Sequence, residues 1–227
     1  MPLLDVPPQL PTAFRLRLGA MEKAGGKTRP THLRGAIRVT SPWAQVIERI
    51  AAAYGGSEPE TWDSPDGVQA QTVLPPQPLV VGIMPGQSLS QWWERWDAGG
   101  CTRRCDGVTE TLSGEPCSCP PMPGRMRAER ACRPVTRLSV VLPKLLEGQT
   151  HLLAVGRLDS HGIIAAQGMA ASIALAQQAL DTGVVVRATL VVRMRGTGAR
   201  QYVWPELVLS GSPLPLGVGH QVPEIEP

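Results

Sequence analysis

WWERWDAGGCTRRCDG, residues 92–107, opens the segment that decides the fold of this chain, and EPCSCPP (115–121) and ACRPVTRL (131–138) continue it. All five cysteines of the 227-residue chain lie in this segment, at Cys101, Cys105, Cys117, Cys119 and Cys132. The stretch from the first cysteine to the last has few large apolar side chains and is rich in Gly, Pro and Arg. It buries too little surface to offset the entropy of its own ordering, so we expect it to need a cross-link.

The spacing of the cysteines is typical of a zinc site. Cys-x3-Cys and Cys-x-Cys are separated by eleven residues, and the fifth cysteine follows after twelve more. Two close pairs of thiolates separated by a loop can surround one tetrahedral metal ion. We therefore predict a structural Zn²⁺ bound by four of the five thiols. We expect Cys101 and Cys105 to be ligands, together with at least one of Cys117 and Cys119. The fourth ligand is then either the second of these two or Cys132, so the sequence does not decide which thiol is spare.

Disulfides and a catalytic thiol are the alternatives to zinc. The odd cysteine count, and a start (MPLLDVPPQLP) without the basic and apolar regions of a signal peptide, argue against disulfides. A catalytic thiol is disfavoured because all four histidines lie outside the segment. No P-loop, G-x-S-x-G or H-E-x-x-H motif occurs, and Asp159, Ser160 and His161 are adjacent, so their side chains would point apart. The sequence thus argues against an enzyme.

Arginine is concentrated in the same segment. Residues 101–137 contain seven arginines and four acidic residues, a net +3 that equals the formal charge of the whole chain. Such a basic segment could contact phosphate, and three tryptophans within five residues could stack on bases. Alternatively, the arginines form a solvated surface or pair with acids of a protein partner, and the tryptophans pack against the rest of the domain. The modest charge favours these alternatives.

Hydrophobic periodicity outside the segment predicts an α+β fold. We predict two related units, 13–87 and 136–210, each with an antiparallel sheet and the order strand, strand, helix, strand, strand. A Cys-rich zinc-binding insert at 88–135 separates them. The Pro-rich residues 1–12 and the Pro- and Gly-rich residues 211–227 are predicted to form a disordered arm and a flexible tail.

Three helices are predicted. The first begins at Ser41-Pro42, carries a continuous apolar stripe and ends at Gly55-Gly56. Ser88-Leu89-Ser90-Gln91 matches a capping box, so a helix should follow, with Leu89, Trp92, Trp93 and Trp96 on its apolar face. A third helix is expected from Met169 to Gly183. No apolar run reaches the roughly 18–20 residues of a membrane span, so we expect a cytoplasmic protein without a membrane partner.

Several motifs together resemble one phage family. They are Arg38–Ser41, Ala53–Gly56, Gln91–Trp96, Ala98–Gly107, Pro116–Pro120, Ala131–Pro143 and Arg157–Gly162. The chain is similar to the recombination directionality factors of actinobacteriophage large serine integrases, over about residues 14–209.

The resemblance implies a regulator without catalytic activity. A factor of this family binds the phage large serine integrase, with its attachment-site DNA, and permits the reverse reaction that excises the prophage. The resemblance thus implies that its contact surface binds a protein and that its direct DNA binding is weak or absent. The alternative is a zinc-containing DNA- or RNA-binding protein.

Overall fold

The computed structural model describes residues 12–24, 27–33, 35–64, 67–86, 88–129, 131–147, 155–196 and 202–210. The strands are β1 Phe14–Arg17, β2 Gly19–Ala24, β3 Lys27–His32, β4 Ile37–Ser41, β5 Glu60–Ser64, β6 Gly67–Leu74, β7 Leu79–Ile83, β8 Leu89–Asp97, β9 Gly100–Cys105, β10 Arg133–Val141, β11 Val155–Ser160, β12 Val186–Arg195 and β13 Tyr202–Leu209. The helices are α1 Ala44–Tyr54, α2 Gly124–Arg127, α3 Pro143–Leu146 and α4 Ile163–Asp181. The protein is therefore of the predicted α+β class.

Eleven of these strands form one sheet. Nine follow the order β13-β12-β7-β10-β11-β1-β4-β6-β5, while β8 pairs with β10 and β9 pairs with β8. Every pairing in this sheet is antiparallel except that of β1 with β11, where Phe14 lies opposite Gly156. The remaining two strands, β2 and β3, form a separate hairpin.

Strand β10 is the branch point of the sheet. Along one edge it pairs with β11 over its whole second part, from Thr136 to Val141. Along its other edge the first part pairs with β8 and the end, at Val140 and Val141, pairs with β7. The hairpin of β8 and β9 therefore extends from the main sheet itself, beside β7.

Helices α1 and α4 cover this sheet. Val46, Ile47, Ile50, Ala51 and Tyr54 of α1 are buried, as the predicted stripe requires. The helix begins at Ala44, after the predicted Ser41, because Ser41 is still the last residue of β4 and its hydroxyl donates to the Ala13 carbonyl oxygen at 2.7 Å. At the other end Gly55 adopts the left-handed conformation, as expected of a helix stop.

Helix α4 is longer than the sequence predicts. It begins at Ile163, six residues before the predicted start at Met169. It includes Gly168, and a Cβ added at this glycine would meet no atom within 4 Å. By length and composition alone α4 could cross a membrane. Core helices of soluble proteins pass the same test, and α4 buries one face that contains Ala165, Met169 and Leu180.

A single buried cluster joins the two halves of the chain. It includes residues of α1, α4 and most of the sheet strands. At its centre the Phe14 ring lies directly over Gly156, so closely that a Cβ on Gly156 would overlap the ring. The absence of a side chain at Gly156 is thus what allows β1 and β11 to pair beneath an aromatic ring.

The prediction that each unit has its own antiparallel sheet is wrong. Strand β7, assigned by sequence to the unit 13–87, pairs with β10 and β12 of the unit 136–210. The parallel pair of β1 and β11 joins the two halves a second time. Local periodicity identifies strands but carries no information on which distant strands pair, and the pairing here merges both halves into one sheet.

The predicted tryptophan helix is also wrong, because residues 89–97 form strand β8. The Ser88 hydroxyl, expected to cap a helix, instead donates to the Met84 carbonyl oxygen. Hydrogen bonding to β10 on one side and β9 on the other gives Leu89–Asp97 more partners than a short exposed helix would have.

Smaller differences concern polar segments. The predicted loops at 19–34 and 57–67 contain β2, β3 and β5, whose sequences lack the apolar alternation of a half-buried strand. The predicted arm at 1–12, apart from Thr12, and the predicted tail at 211–227 lie outside the described residues.

Candidate functional site

The cysteine module (residues 88–135) is built on the β8–β9 hairpin. Trp93 lies opposite Cys105, and Trp96 lies opposite Cys101, with a register shift between Arg95 and Trp96. The chain then passes through a turn at 106–116, a loop with Cys117 and Cys119, and the short helix α2, before Cys132 leads into β10. The module thus begins and ends on paired strands of the main sheet.

Four of the five thiols come together. The Cys105 Sγ lies 3.3 Å from the Cys117 Sγ. The Cys117 thiol also interacts with Cys119, and the Cys119 thiol with Cys132. Cys105 in turn lies close enough to Cys132 to raise the pKa of the Cys132 thiol. Three separate parts of the module therefore bring these thiols to one place.

Cys101 is the thiol that stands apart, which differs from the sequence-based choice of Cys101 and Cys105 as a ligand pair. Its Sγ contacts the Arg103 carbonyl oxygen at 3.3 Å. Both residues of the Cys-x3-Cys pair lie on β9, where four residues span about 13 Å at the usual rise of a strand. Two sulfur ligands of one zinc ion are only about 4 Å apart, so an extended Cys-x3-Cys cannot provide both.

The environment of the four thiols affects their ionisation differently. Burial and the Cys119 thiol raise the pKa of Cys132 to about 12. Burial and the Cys117 thiol likewise raise the pKa of Cys105. Burial acts in the same direction on Cys117, but hydrogen bonds from the Cys119 backbone and from the neighbouring thiols outweigh it and lower the pKa. Cys117 therefore ionises more readily than an ordinary thiol.

Arg125 of α2 is a buried cation beside these thiols. Only 5% of the residue is exposed, its Nε donates to the Pro120 carbonyl oxygen at 3.0 Å, and its Nη2 lies 3.7 Å from the Cys117 Sγ. The guanidinium also stacks over the Trp93 ring, 4.8 Å from the centroid. Within the described part of the chain, no carboxylate forms an ion pair with Arg125.

The turn after β9 is held by two carboxylates. Asp106 accepts the backbone N–H groups of Val108 and Thr109 at 2.7 and 2.8 Å. Glu110 is nearly buried and accepts the backbone N–H groups of Arg104, Leu112 and Ser113. Hydrogen bonds from Ser113 and from the backbone lower the pKa of Glu110 to about 2. Both carboxylates are therefore used to order the module.

A third carboxylate, Glu94, fixes the module to the main sheet. Its side chain is fully buried and accepts hydrogen bonds from Arg104 Nε at 2.8 Å and Trp96 Nε1 at 2.8 Å. Arg137 of β10 binds both of its oxygens, at 2.9 and 2.7 Å. Burial alone would raise the pKa of Glu94, but the hydrogen bonds of Arg137, Trp96 and Arg104 lower it to about 2. Glu94 was not among the residues predicted from the sequence, although a lone acid within WWERW is a signal for a buried ion pair.

Most of the arginines in this segment have internal partners. Arg104 and Arg137 bind Glu94, and Arg125 lies against the thiols. Arg103 donates to the Ser118 hydroxyl at 2.9 Å, and Arg133 donates to two backbone carbonyl oxygens. Five of the seven arginines therefore hold the module together, which favours the structural alternative over a phosphate-binding surface.

The three tryptophans do not form one platform. Side chains alternate along a strand, so Trp92 and Trp96 project to one face of β8 and Trp93 projects to the other. Trp93 packs on Arg125, while Trp96 is 54% exposed. Among the described side chains of the module, the exposed large apolar ones are Trp96, Val108, Leu112 and Met122.

A cleft of about 330 Å³ lies where the module meets α4. Gln91, Trp92 and Trp93 line one side and residues from Ile163 to Ala170 line the other. Among its lining residues the one ionisable group is Asp106, whose carboxylate already accepts two backbone N–H groups. The lining therefore provides one carboxylate, already engaged in the turn, and no His, Cys or Lys beside it.

As the side chains stand, no group of three or more His, Cys, Asp or Glu among the described residues has the arrangement of a metal site. The four neighbouring thiols approach one another but do not surround a common point. Side-chain rotation would be needed for them to share a ligand.

The comparisons with known proteins agree with the motifs from which the resemblance was drawn. No curated protein and no solved structure matches the chain. A family model described as Gp3-like, recombination directionality factor-like, matches residues 15–212, which is nearly all of the chain and includes the whole cysteine module. The chain therefore belongs to the Gp3-like family of recombination directionality factor-like proteins.

Proposed function

We propose that this protein binds a phage large serine integrase on its attachment-site DNA and switches it from integration to prophage excision. It acts in the cytoplasm of the bacterial host and has no catalytic activity of its own. The family match over residues 15–212 is the observation that carries this proposal. Members of such a family typically regulate a recombinase and do not carry out the strand exchange.

The mechanism needs only a difference in binding free energy. An integrase that has two arrangements of its DNA-bound domains is shifted toward the arrangement that the factor prefers. Each 1.4 kcal/mol of preference changes the ratio of the two arrangements about tenfold. A rigid contact surface is sufficient for this, and a rigid surface is what the internally hydrogen-bonded cysteine module provides.

The exposed apolar side chains of the module support a protein partner. Trp96, Val108, Leu112 and Met122 are 54%, 75%, 58% and 47% exposed on a module whose polar groups are largely used internally. Tryptophan and methionine are enriched in the centres of protein interfaces, and tryptophan is among the residues that contribute most of the binding energy. A phosphate-binding surface would instead need free arginines, and five of the seven here have internal partners.

The proposal is tested by excision in vitro with the cognate integrase and the two hybrid attachment sites. Product that forms only when the protein is present supports it. No product, with an integrase active on the integration sites, refutes it. Affinity for bare duplex DNA that falls steeply with salt, by roughly 0.9 log units per log unit for each phosphate contacted, would instead support the nucleic-acid alternative.

The module surface is tested with Val108→Ser and Leu112→Ser combined. We expect excision to fall at least tenfold at limiting factor concentration, with an unchanged melting temperature. Val208→Ser on β13 is the control, because Val208 is also exposed, at 43%, but lies on an edge strand outside the module. An equal loss in the control, or full activity of the double variant, would remove the module from the interface.

A further inference from the structure

We propose that Cys105, Cys117, Cys119 and Cys132 bind one zinc ion, and that Cys101 is a free thiol. This goes beyond the proposed function, because it concerns what holds the module together and does not depend on the integrase. It also selects one four-thiol set among those that the sequence leaves open.

The positions of the sulfur atoms support this set. In a tetrahedral site with Zn–S bonds of about 2.3 Å, neighbouring sulfurs are about 3.8 Å apart. The Cys105 and Cys117 Sγ atoms are already 3.3 Å apart, and Cys119 interacts with both Cys117 and Cys132. Closing the site requires side-chain rotations, whereas Cys101 lies four residues, about 13 Å, from Cys105 along the extended β9.

The buried Arg125 is an independent sign that negative charge belongs at this place. A guanidinium that is 95% buried is costly unless an anion compensates it, and no carboxylate among the described residues forms an ion pair with it. Its Nη2 points at the Cys117 Sγ from 3.7 Å. Four thiols that each release a proton to solvent, around one Zn²⁺, leave a net charge of −2 for Arg125 to offset.

Two disulfides are the competing arrangement, because Cys105 is next to Cys117 and Cys119 is next to Cys132. Both bonds would form by loss of two electrons and two protons each, to an oxidant. The four sulfurs would then be neutral, and Arg125 would remain buried without a counter-charge. The metal therefore explains both the thiols and the arginine, whereas the disulfides explain only the thiols.

The first experiment measures metal in the full-length protein purified under reducing conditions. We expect one zinc per chain in the wild type and in Cys101→Ser. Each of Cys105→Ser, Cys117→Ser, Cys119→Ser and Cys132→Ser should retain less than a fifth of that amount. Equal loss in Cys101→Ser and Cys105→Ser, or wild-type protein that neither contains zinc nor takes up Co²⁺ in a one-to-one ratio, would overturn the assignment.

The second experiment uses the wild-type chain, so that a variant that fails to fold cannot obscure the result. A thiol reagent is added to the native protein without reductant, before and after a strong chelator. We expect one fast-reacting thiol before chelation and five after it, with release of one zinc. One reactive thiol that does not increase with chelator, but increases to five with reductant, would show two disulfides and refute the metal site.

Discussion

Replacing Glu94 by Gln should destabilise the protein by about 3 kcal/mol. Gln has the same shape but lacks the charge, and its amide NH₂ would face guanidinium N–H groups where the carboxylate now accepts four hydrogen bonds. Removing one partner of a buried ion pair costs about 3–5 kcal/mol. The side chains of Arg104 and Arg137 are 35% and 19% exposed, so they can recover some hydration, and the lower end of this range applies.

The lowered pKa of Glu94 arises from the same hydrogen bonds and corresponds to a similar magnitude. Its fall from 4.5 to about 2 corresponds to about 3 kcal/mol of preference for the ionised form in the folded protein. Because the folded pKa is depressed, this stabilisation is fully present above pH 4.5 and is lost as the pH falls toward 2. The free-energy difference between wild type and Glu94→Gln should therefore shrink to roughly half at pH 3.

Urea unfolding of both proteins at pH 7, 5, 4 and 3 measures this difference. Glu48→Gln is the control, because it removes the same charge from an exposed position on α1 and should change the free energy of unfolding by no more than about 0.5 kcal/mol. Release of the proposed zinc ion in acid would affect all three proteins and would cancel in the comparison. A difference at pH 7 below 1 kcal/mol, or one that stays constant down to pH 3, would refute the view that Glu94 binds the module to the sheet as a carboxylate.

Three further outcomes follow from the structure. Gly156→Ala should lower the free energy of unfolding by about 2–3 kcal/mol, because the added methyl overlaps the buried Phe14 ring. The control Gly162→Ala, which has open space at its Cβ, should cost less than about 1 kcal/mol in the same urea titration. Tyr54→Phe removes the hydroxyl that accepts the Lys144 backbone N–H at 3.1 Å, and should cost about 1 kcal/mol by the same measurement. Binding to the integrase without DNA should change less than tenfold between 50 and 200 mM salt by calorimetry, since an interface of 6–10 phosphate contacts would lose about 10³–10⁵.

Most strands and helices outside the module were predictable because they repeat a local pattern, which β2, β3 and β5 lack. The α1 stripe and the alternation in β6 record which side chains face the core. The order of strands in the sheet was not predictable, since β7 finds its partners in strands that follow it by more than fifty residues. No local pattern encodes such a pairing.

The module shows how a correct local signal can be overruled. Ser88-Leu89-Ser90-Gln91 has the residues of a capping box, yet the chain forms β8 because strands on both sides supply backbone partners. The conformation of residues 101–105 likewise decides whether Cys101 and Cys105 can bind the same metal ion. Had 101–105 been helical, Cys101 and Cys105 would lie one turn apart on the same face, but on a strand they are too far apart to share a metal.

The arginines illustrate the difference between the charge of a segment and the charge that a partner can reach. Counting residues gives the segment 101–137 a net +3, which suggests phosphate binding. In the folded protein Glu94 neutralises part of this charge inside the sheet, and Arg125 faces the thiols. Residues 88–135 contain seven arginines and six acidic residues, so if those thiols bind zinc as a dianion the module as a whole carries about one negative charge. Such a charge does not attract DNA, and it leaves the exposed apolar side chains as the part of the module best suited to recognise another protein.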